Sequence, residues 1–200
     1  MARLLFFLSI VALGYLFIDN RDNQPRVHPP GIVVREVPRQ LDVQPTGFLL
    51  DDYSVTRRAR FEIRARVLST ERYYMRREGD LSPIDLALGW GVMSDQAVLD
   101  RIDISQSGRW YRTRYELPPP VPDQQIIANS SNMHMIPAGR SIEKALKRLR
   151  EGDIITIRGH LVDVDHDSGW WWRTSMSRTD TGNGACEVVY VESLEVEGAG

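Results

Sequence analysis

RARFEIRARV, residues 58–67, decides the fold. Ala59, Phe61, Ile63, Ala65 and Val67 hold the odd positions, while Arg58, Arg60, Glu62, Arg64 and Arg66 hold the even ones. Successive side chains of a strand point to opposite faces, so strict alternation predicts a β-strand with one buried and one solvated face. Arg58, Arg60, Arg64 and Arg66 then share the outer face as a positive stripe roughly 25 Å long at about 3.3 Å per residue. Arg72, Arg76 and Arg77 follow closely. Such a stripe suits an anionic ligand: a lipid headgroup, an acidic polymer or a nucleic acid. The plainer alternative is a solvated face whose arginines pair with cross-strand acids or guard an edge, and Glu62 interrupts the stripe in that sense.

Upstream, residues 20–47 carry prolines at 25, 29, 30, 38 and 45, a spacing no helix survives. The segment reads as an extended tether over 21–47, with one short strand at Ile32–Val37 and a solvated linker histidine, His28. Before it, LLFFLSIVALGYLFI (4–18) is free of charge, follows Arg3 and ends at Asp19. With its flanks, residues 1–20, it just reaches the length of a spanning helix. The reading is an uncleaved N-terminal anchor. A cleaved signal peptide ending at Ala12-Leu13-Gly14 is the alternative, leaving a secreted body. A short N-tail ahead of the bulk of the chain places that bulk outside the cytoplasm.

Downstream, LSPIDLALGWG (81–91) reads as a short helix with Ser82 as cap and Pro83 at its first position. A second helix follows over Ser94–Ile102, then a strand over Arg109–Leu117 and a rigid break at prolines 118, 119, 120 and 122. ANSSNMHMIPA (128–138) reads as a polar loop. Ile142, Ala145, Leu146 and Leu149 fall on one helical face, so Ser141–Arg150 is the strongest helix, stopped by Gly152. Strands are expected at Asp153–Val164, Trp170–Ser177 and Cys186–Val196. The chain is thus α+β and β-rich, with a body over 48–197.

The chain has 200 residues, 42% of them hydrophobic and 26% charged, enough to bury a core. A single cysteine excludes an internal disulfide framework and any cysteine-rich zinc site. All but two of the 25 basic residues are arginine, Lys144 and Lys147 being the exceptions, yet the net charge is −2. There is no strong nucleic-acid signal.

LREGDIITIRGHLVDV (149–164), with Gly159 at mid-strand and two strands after it, resembles part of an OB-like small barrel beginning at about residue 149. The resemblance implies a module that binds oligonucleotides, oligosaccharides or partners. The blocks SPIDLALGWGVMSD (82–95), ISQSGRWY (104–111), ANSSNMHMIPA (128–138) and SMSRTDTGNGACE (175–187) resemble an uncharacterised family of bacterial membrane-anchored proteins. This implies a single-pass protein of the bacterial inner membrane with a periplasmic body.

Candidate chemistry is thin. His134 could serve as a base for Cys186 or for a serine such as Ser175, with Asn132 or Asp180 as orienter. Cys186, however, shares strand parity with Val188, Tyr190, Leu194 and Val196, which predicts a buried, inert thiol. HLVDVDHD (160–167) splits its histidines from its aspartates by parity, a poor metal site, and reads as a hairpin tip closing at Ser168-Gly169. No cofactor is implied. Of Trp170, Trp171 and Trp172, at least one ring must face away from its neighbours, and Trp171 is the candidate to stack on a ligand. The expected function is a membrane-anchored binding or scaffold module partnered by anionic lipid, a polymer or a protein. A hydrolase built on His134 is the alternative.

Overall fold

The alternating stretch lies within a 20-residue strand that organises the whole body. In a computed structural model, which describes residues 24–74, 77–177, 182 and 184–198, β2 runs over Tyr53–Arg72. The expected span at Leu4–Ile18, Arg76 and Asp180 lie outside the described residues, and the side chain of Arg77 is not described. Among the described residues no helix is long and apolar enough to cross a membrane.

β2 pairs with three strands. β1 (Arg39–Leu50) meets it over Tyr53–Glu62 and β7 (Ile154–His166) over Tyr53–Arg66; its last residues, Arg66–Arg72, meet β3 (Ile84–Gly89). From β3 the pairing continues to β6 (Ser130–Pro137), then in parallel to β9 (Glu187–Val196), and back to β7. Because β7 also pairs with β2, the strands β2-β3-β6-β9-β7 close into a ring, with β1 and the two-residue β8 (Trp171–Trp172) added outside it. The barrel therefore begins at Tyr53 and is not confined to residues after 149, because the strand that opens it is the arginine strand itself.

Two bulges let β2 curve this far. The register slips between Arg57 and Ala59 opposite β7, and between Val67 and Ser69 opposite β3. A bulge reverses which parity faces which side. Ala59, Phe61, Ile63, Ala65 and Val67 thus fill the barrel, while Tyr53 and Val55, also odd, pack with Val162 and Val164 in a second cluster. Gly159 is where β9 crosses closest: a Cβ there would lie 1.9 Å from Tyr190 O, so no side chain fits.

Several expectations are corrected. LSPIDLALGWG is a strand, not a helix: all six residues of β3 are buried, and a strand covered on both faces loses the alternation that marks it in sequence. ANSSNMHMIPA is likewise the buried strand β6, following a short helix, α3 (Asp123–Ala128), that the polar composition hides. Ahead of these, α1 covers Arg77–Leu81, and α2 covers Gln96–Leu99, capped by Asp95 while Ser94 sits in a 3₁₀ turn over Gly91–Ser94. The helix expected at Ser141–Arg150 is α4 over Arg140–Leu146, and Leu146 and Leu149 plug the barrel. Trp170–Ser177 keeps only β8 as strand.

The tether is no free linker. Ile32–Val37 forms no strand, and the tether's C-terminal part belongs to β1. Residues 26–34 strap onto the barrel: Arg26 Nε lies 2.8 Å from Asp153 Oδ1, Gly31 N donates to Asp95 Oδ1 (2.8 Å), and Gly91 N donates to Val34 O (2.8 Å). Val34 is fully buried. His28 is half-buried with Nε2 2.6 Å from Gly152 O, which corrects the solvated reading. A Cβ on residue 152 would meet Arg26 O at 1.8 Å, so Gly152 admits the strap as well as ending the helical segment.

Candidate functional site

The outer face of β3 and β6 is roofed rather than solvated. Asp85 and His134 are direct register partners, as are Ala87 and Asn132, and Gly89 and Ser130. Across them lies a separate hairpin, β4 (Asp103–Ser107) and β5 (Trp110–Arg114). Gly108 and Arg109 form its two-residue turn with φ of 59° and 70°. Two positive φ values match the right-handed twist of a hairpin, but the second belongs to an arginine, a conformation that its contacts must hold.

Those contacts are numerous. Arg109 Nη1 lies 2.5 Å from Asp85 Oδ1, and Nη2 donates to Glu78 O (3.0 Å) and Ser82 O (2.9 Å). The guanidinium sits 3.6 Å from the Tyr73 ring centroid and 5.3 Å from that of Trp172. Its backbone N donates to Tyr73 Oη (2.9 Å), and its carbonyl accepts from Asn132 Nδ2 (3.2 Å). His134 Nδ1 lies 2.9 Å from the same Asp85 oxygen, with the Trp172 ring 4.6 Å away at 40°. The Asp85 and His134 side chains are almost wholly buried. Burial, with the Asp85 charge second, pushes the Tyr73 hydroxyl up to about 12; burial does the same to Tyr111.

Beside this cluster opens a cleft of about 440 Å³, walled by Glu78, Trp110, the Trp170–Arg173 segment and Cys186, with His134 in its floor. A second hollow of about 250 Å³ continues along β6 over Asn132 and Ser130, under Tyr111 and Ile126, and shares Trp110 and Cys186 with the first. Cleft volumes of this size suit small-molecule or oligomer segments.

Cys186 therefore does not face the core. It precedes β9, is half-buried and lines both hollows, with Asn132 Nδ2 3.8 Å from Sγ. Parity misleads here because the strand has not yet begun; the inward set starts at Glu187, which accepts from Ser131 Oγ (2.5 Å). Ser175 is buried away from the cleft, its Oγ bonding Ser177 N and O. Cys186 and His134 thus line one cleft; Ser175 lies beside Cys186, its N donating to Cys186 O (3.1 Å), but its hydroxyl is turned to Ser177, and Asp180 lies outside the described residues. Trp171 is exposed at the rim, 62% accessible, while Trp170 and Trp172 are half-buried.

The four stripe arginines do not act as one. Arg58 pairs with Asp163 (2.7 Å); Arg64 pairs with Glu197 (2.6 Å) and Glu36 (3.1 Å). Arg66 is 3% exposed, donating to Ser94 O (3.1 Å) and to Gln96 Oε1, which corrects its place in a solvated face. Arg60 is exposed without an ion pair among the described residues. Across the HLVDVDHD segment, Asp163 and Asp165 bind Arg58 and Arg173, and His160 Nδ1 lies 3.4 Å from Glu192 Oε1. No group of metal-ligating side chains occurs among the described residues.

Asp85, Arg109 and Tyr73 build the wall beside the cleft, and sequence reasoning missed them. The only local signals are a lone acid inside the apolar IDLALGW and a glycine between two short polar strands. Comparison with protein-family models, with curated proteins and with solved structures finds no match for this chain.

Proposed function

We propose that this chain is a membrane-anchored binding module of the bacterial cell envelope, held by residues 1–20 and presenting an OB-type barrel to the periplasm. One observation carries the reading: the cleft lies against β6, the third strand of the ring, and between the β2–β3 and β7–β9 connections, which supply Glu78 on one side and Trp170–Arg173 with Cys186 on the other. Open Greek-key barrels of this order bind oligomers on that face and between those loops. The cleft is preformed, with Arg109 and Asn132 tying its hairpin roof to the barrel wall.

A second reading, a hydrolase, draws on the Asp85–His134 pair and on Cys186 in the same cleft. A carboxylate beside one imidazole nitrogen is the arrangement a general base uses, although Nδ1 of His134 makes no aligned hydrogen bond to Asp85 here.

Cys186 separates the two readings because it lines both hollows. In the full chain in detergent micelles, the alkylation rate of Cys186 is measured against soluble saccharide hexamers, a thymidine oligonucleotide and a proline-rich peptide. Protection by one of these classes, without its cleavage, is the expected result. Absence of protection by all of them overturns the binding reading. Turnover of ester or amide substrates that disappears in Cys186→Ala supports the hydrolase instead.

A further inference from the structure

We infer that the chain bound in this cleft is an uncharged saccharide, stacked on Trp110 and Trp171; the inference rests on the binding-module reading. Trp110, from the hairpin tip, is 45% exposed, and Trp171, from β8, is 62% exposed, yet both border the same cleft. The Arg173 guanidinium lies over the Trp171 ring, 5.3 Å from its centroid, and the ring faces left open on two separate elements bordering one hollow are platforms for flat, partly apolar groups. Nucleobases and pyranose rings offer such faces, and a bilayer's headgroup layer also takes up exposed indoles, so the surroundings choose among them.

Charge argues against a nucleic acid. Of the cations at the cleft, Arg109 is spent on Asp85 and two carbonyls, and Arg173 on Asp165 (2.5 Å) and Val164 O (2.9 Å). Glu78 adds a negative group to the wall. A phosphate backbone gains affinity by releasing its counterions where unmatched lysines and arginines neutralise it, and among the described residues the cleft offers none. The arginines of β2 do not supply the want, since Arg58, Arg64 and Arg66 are committed elsewhere.

Position argues against a lipid surface. The strap that leads from the anchor meets the barrel at Gly152 and Asp153, just before β7 begins. Trp171 and Trp172 pair with Asp165 and Val164 near the other end of that strand. The intervening stretch of β7, Ile154 to Val164, spans roughly 33 Å at about 3.3 Å per residue, which lifts the rings away from the strap. A pyranose meets what remains: its C–H face lies on indole, and its hydroxyls reach Glu78 and the outer edge of Arg173, planar polar groups at the rim.

The test uses the full chain in a sugar-free zwitterionic detergent, titrated calorimetrically with a β-1,4-linked N-acetylglucosamine hexamer, cellohexaose, a thymidine dodecamer and anionic phospholipid vesicles. Saturable binding of a hexasaccharide, unchanged between low and high salt, is expected. Trp171→Ala and Trp110→Ala should each weaken it on the order of tenfold, the size of one lost ring contact, and Trp171→Phe should retain most of it. Both tryptophans are exposed, so circular dichroism should show an intact barrel in every variant. Salt-sensitive binding of the dodecamer, or vesicle binding lost with Trp171→Ala, in place of sugar binding overturns the saccharide assignment and leaves the cleft a binding site. Sugar binding indifferent to both alanine variants overturns the stacking. Failure of every oligomer to protect Cys186 removes the underlying reading as well.

Discussion

The arginine strand and the roof of the cleft make opposite use of charge. On β2, cations crowd one stretch of sequence, yet Arg64 is partly solvated and matched by the exposed Glu197, a surface pair worth about 0.2–1 kcal/mol. At the roof a single arginine closes on a single aspartate, with that carboxylate 1% and the guanidinium 16% exposed. Removing one partner of a buried pair leaves an uncompensated charge, which costs several kcal/mol. Local charge density is conspicuous in a sequence, but desolvation sets what a charge is worth.

Four measurements sharpen or break that contrast. Arg109→Ala should have the largest effect: about 3–5 kcal/mol lost in urea unfolding, because Asp85 stays buried without its cation. A loss below about 1 kcal/mol would reduce the roof to an ordinary surface contact. Pairing Arg109→Met with Asp85→Leu should restore much of the stability, since the polar pair is then replaced at both ends.

Arg66 belongs to the conspicuous strand by sequence and to the buried class by structure. Arg66→Gln should cost about 2 kcal/mol, from charge-assisted bonds to Ser94 O and Gln96. Equal costs for Arg66→Gln and Arg60→Gln would show that burial does not separate them.

The roof should also respond to alkali. Tyr73 and Tyr111 titrate near 12 in the fold against 10 as the ordinary value. Between those values the native state holds protons the unfolded chain has released, so stability falls as pH rises from 10 towards 12. Tyr111→Phe should flatten part of that fall, read from thermal unfolding at several alkaline pH values, and cost about 1 kcal/mol near neutrality through the lost bond to Ser130.

The smallest change belongs to the stripe. Arg60→Gln should shift stability by under about 0.5 kcal/mol, Arg64→Gln by no more than its surface pair with Glu197 is worth, and neither should touch binding at the cleft. What remains should be pH-dependent: Glu197 and Glu36 have their pKa lowered, Glu197 chiefly by its hydrogen bond to Arg64 and Glu36 by its own backbone ahead of that arginine. Their contribution is present above the ordinary carboxylate range and is lost as pH falls through it; removing Arg64 should blunt that acid limb.

Legibility followed solvation. The arginine strand was readable because one of its faces meets water along much of its length, so alternation survives. β3 and β6 were not, because Ile84–Gly89 and most of Ser130–Pro137 are covered on both sides. The barrel was glimpsed at Gly159 but placed too late, since ring closure depends on β2 pairing with β7 across nearly the full length of the body. His134 and Cys186 are singled out by residue type; that they share a cleft, and that Asp85 rather than Asn132 stands at the imidazole, required the pairing of strands distant in sequence.

The sequence by itself determined the periodicities: an apolar N-terminal run, a proline-rich strap, an alternating strand and one amphipathic helix. These are legible because each depends on neighbours within a few residues. Only the tertiary structure decided which parity faces which core, since a bulge at Arg58 exchanges them, and which polar groups meet, since register brings Asp85 opposite His134 and a hairpin lowers Arg109 onto Asp85. Long-range pairing creates the dry environment in which those few charges matter, and no local pattern encodes it.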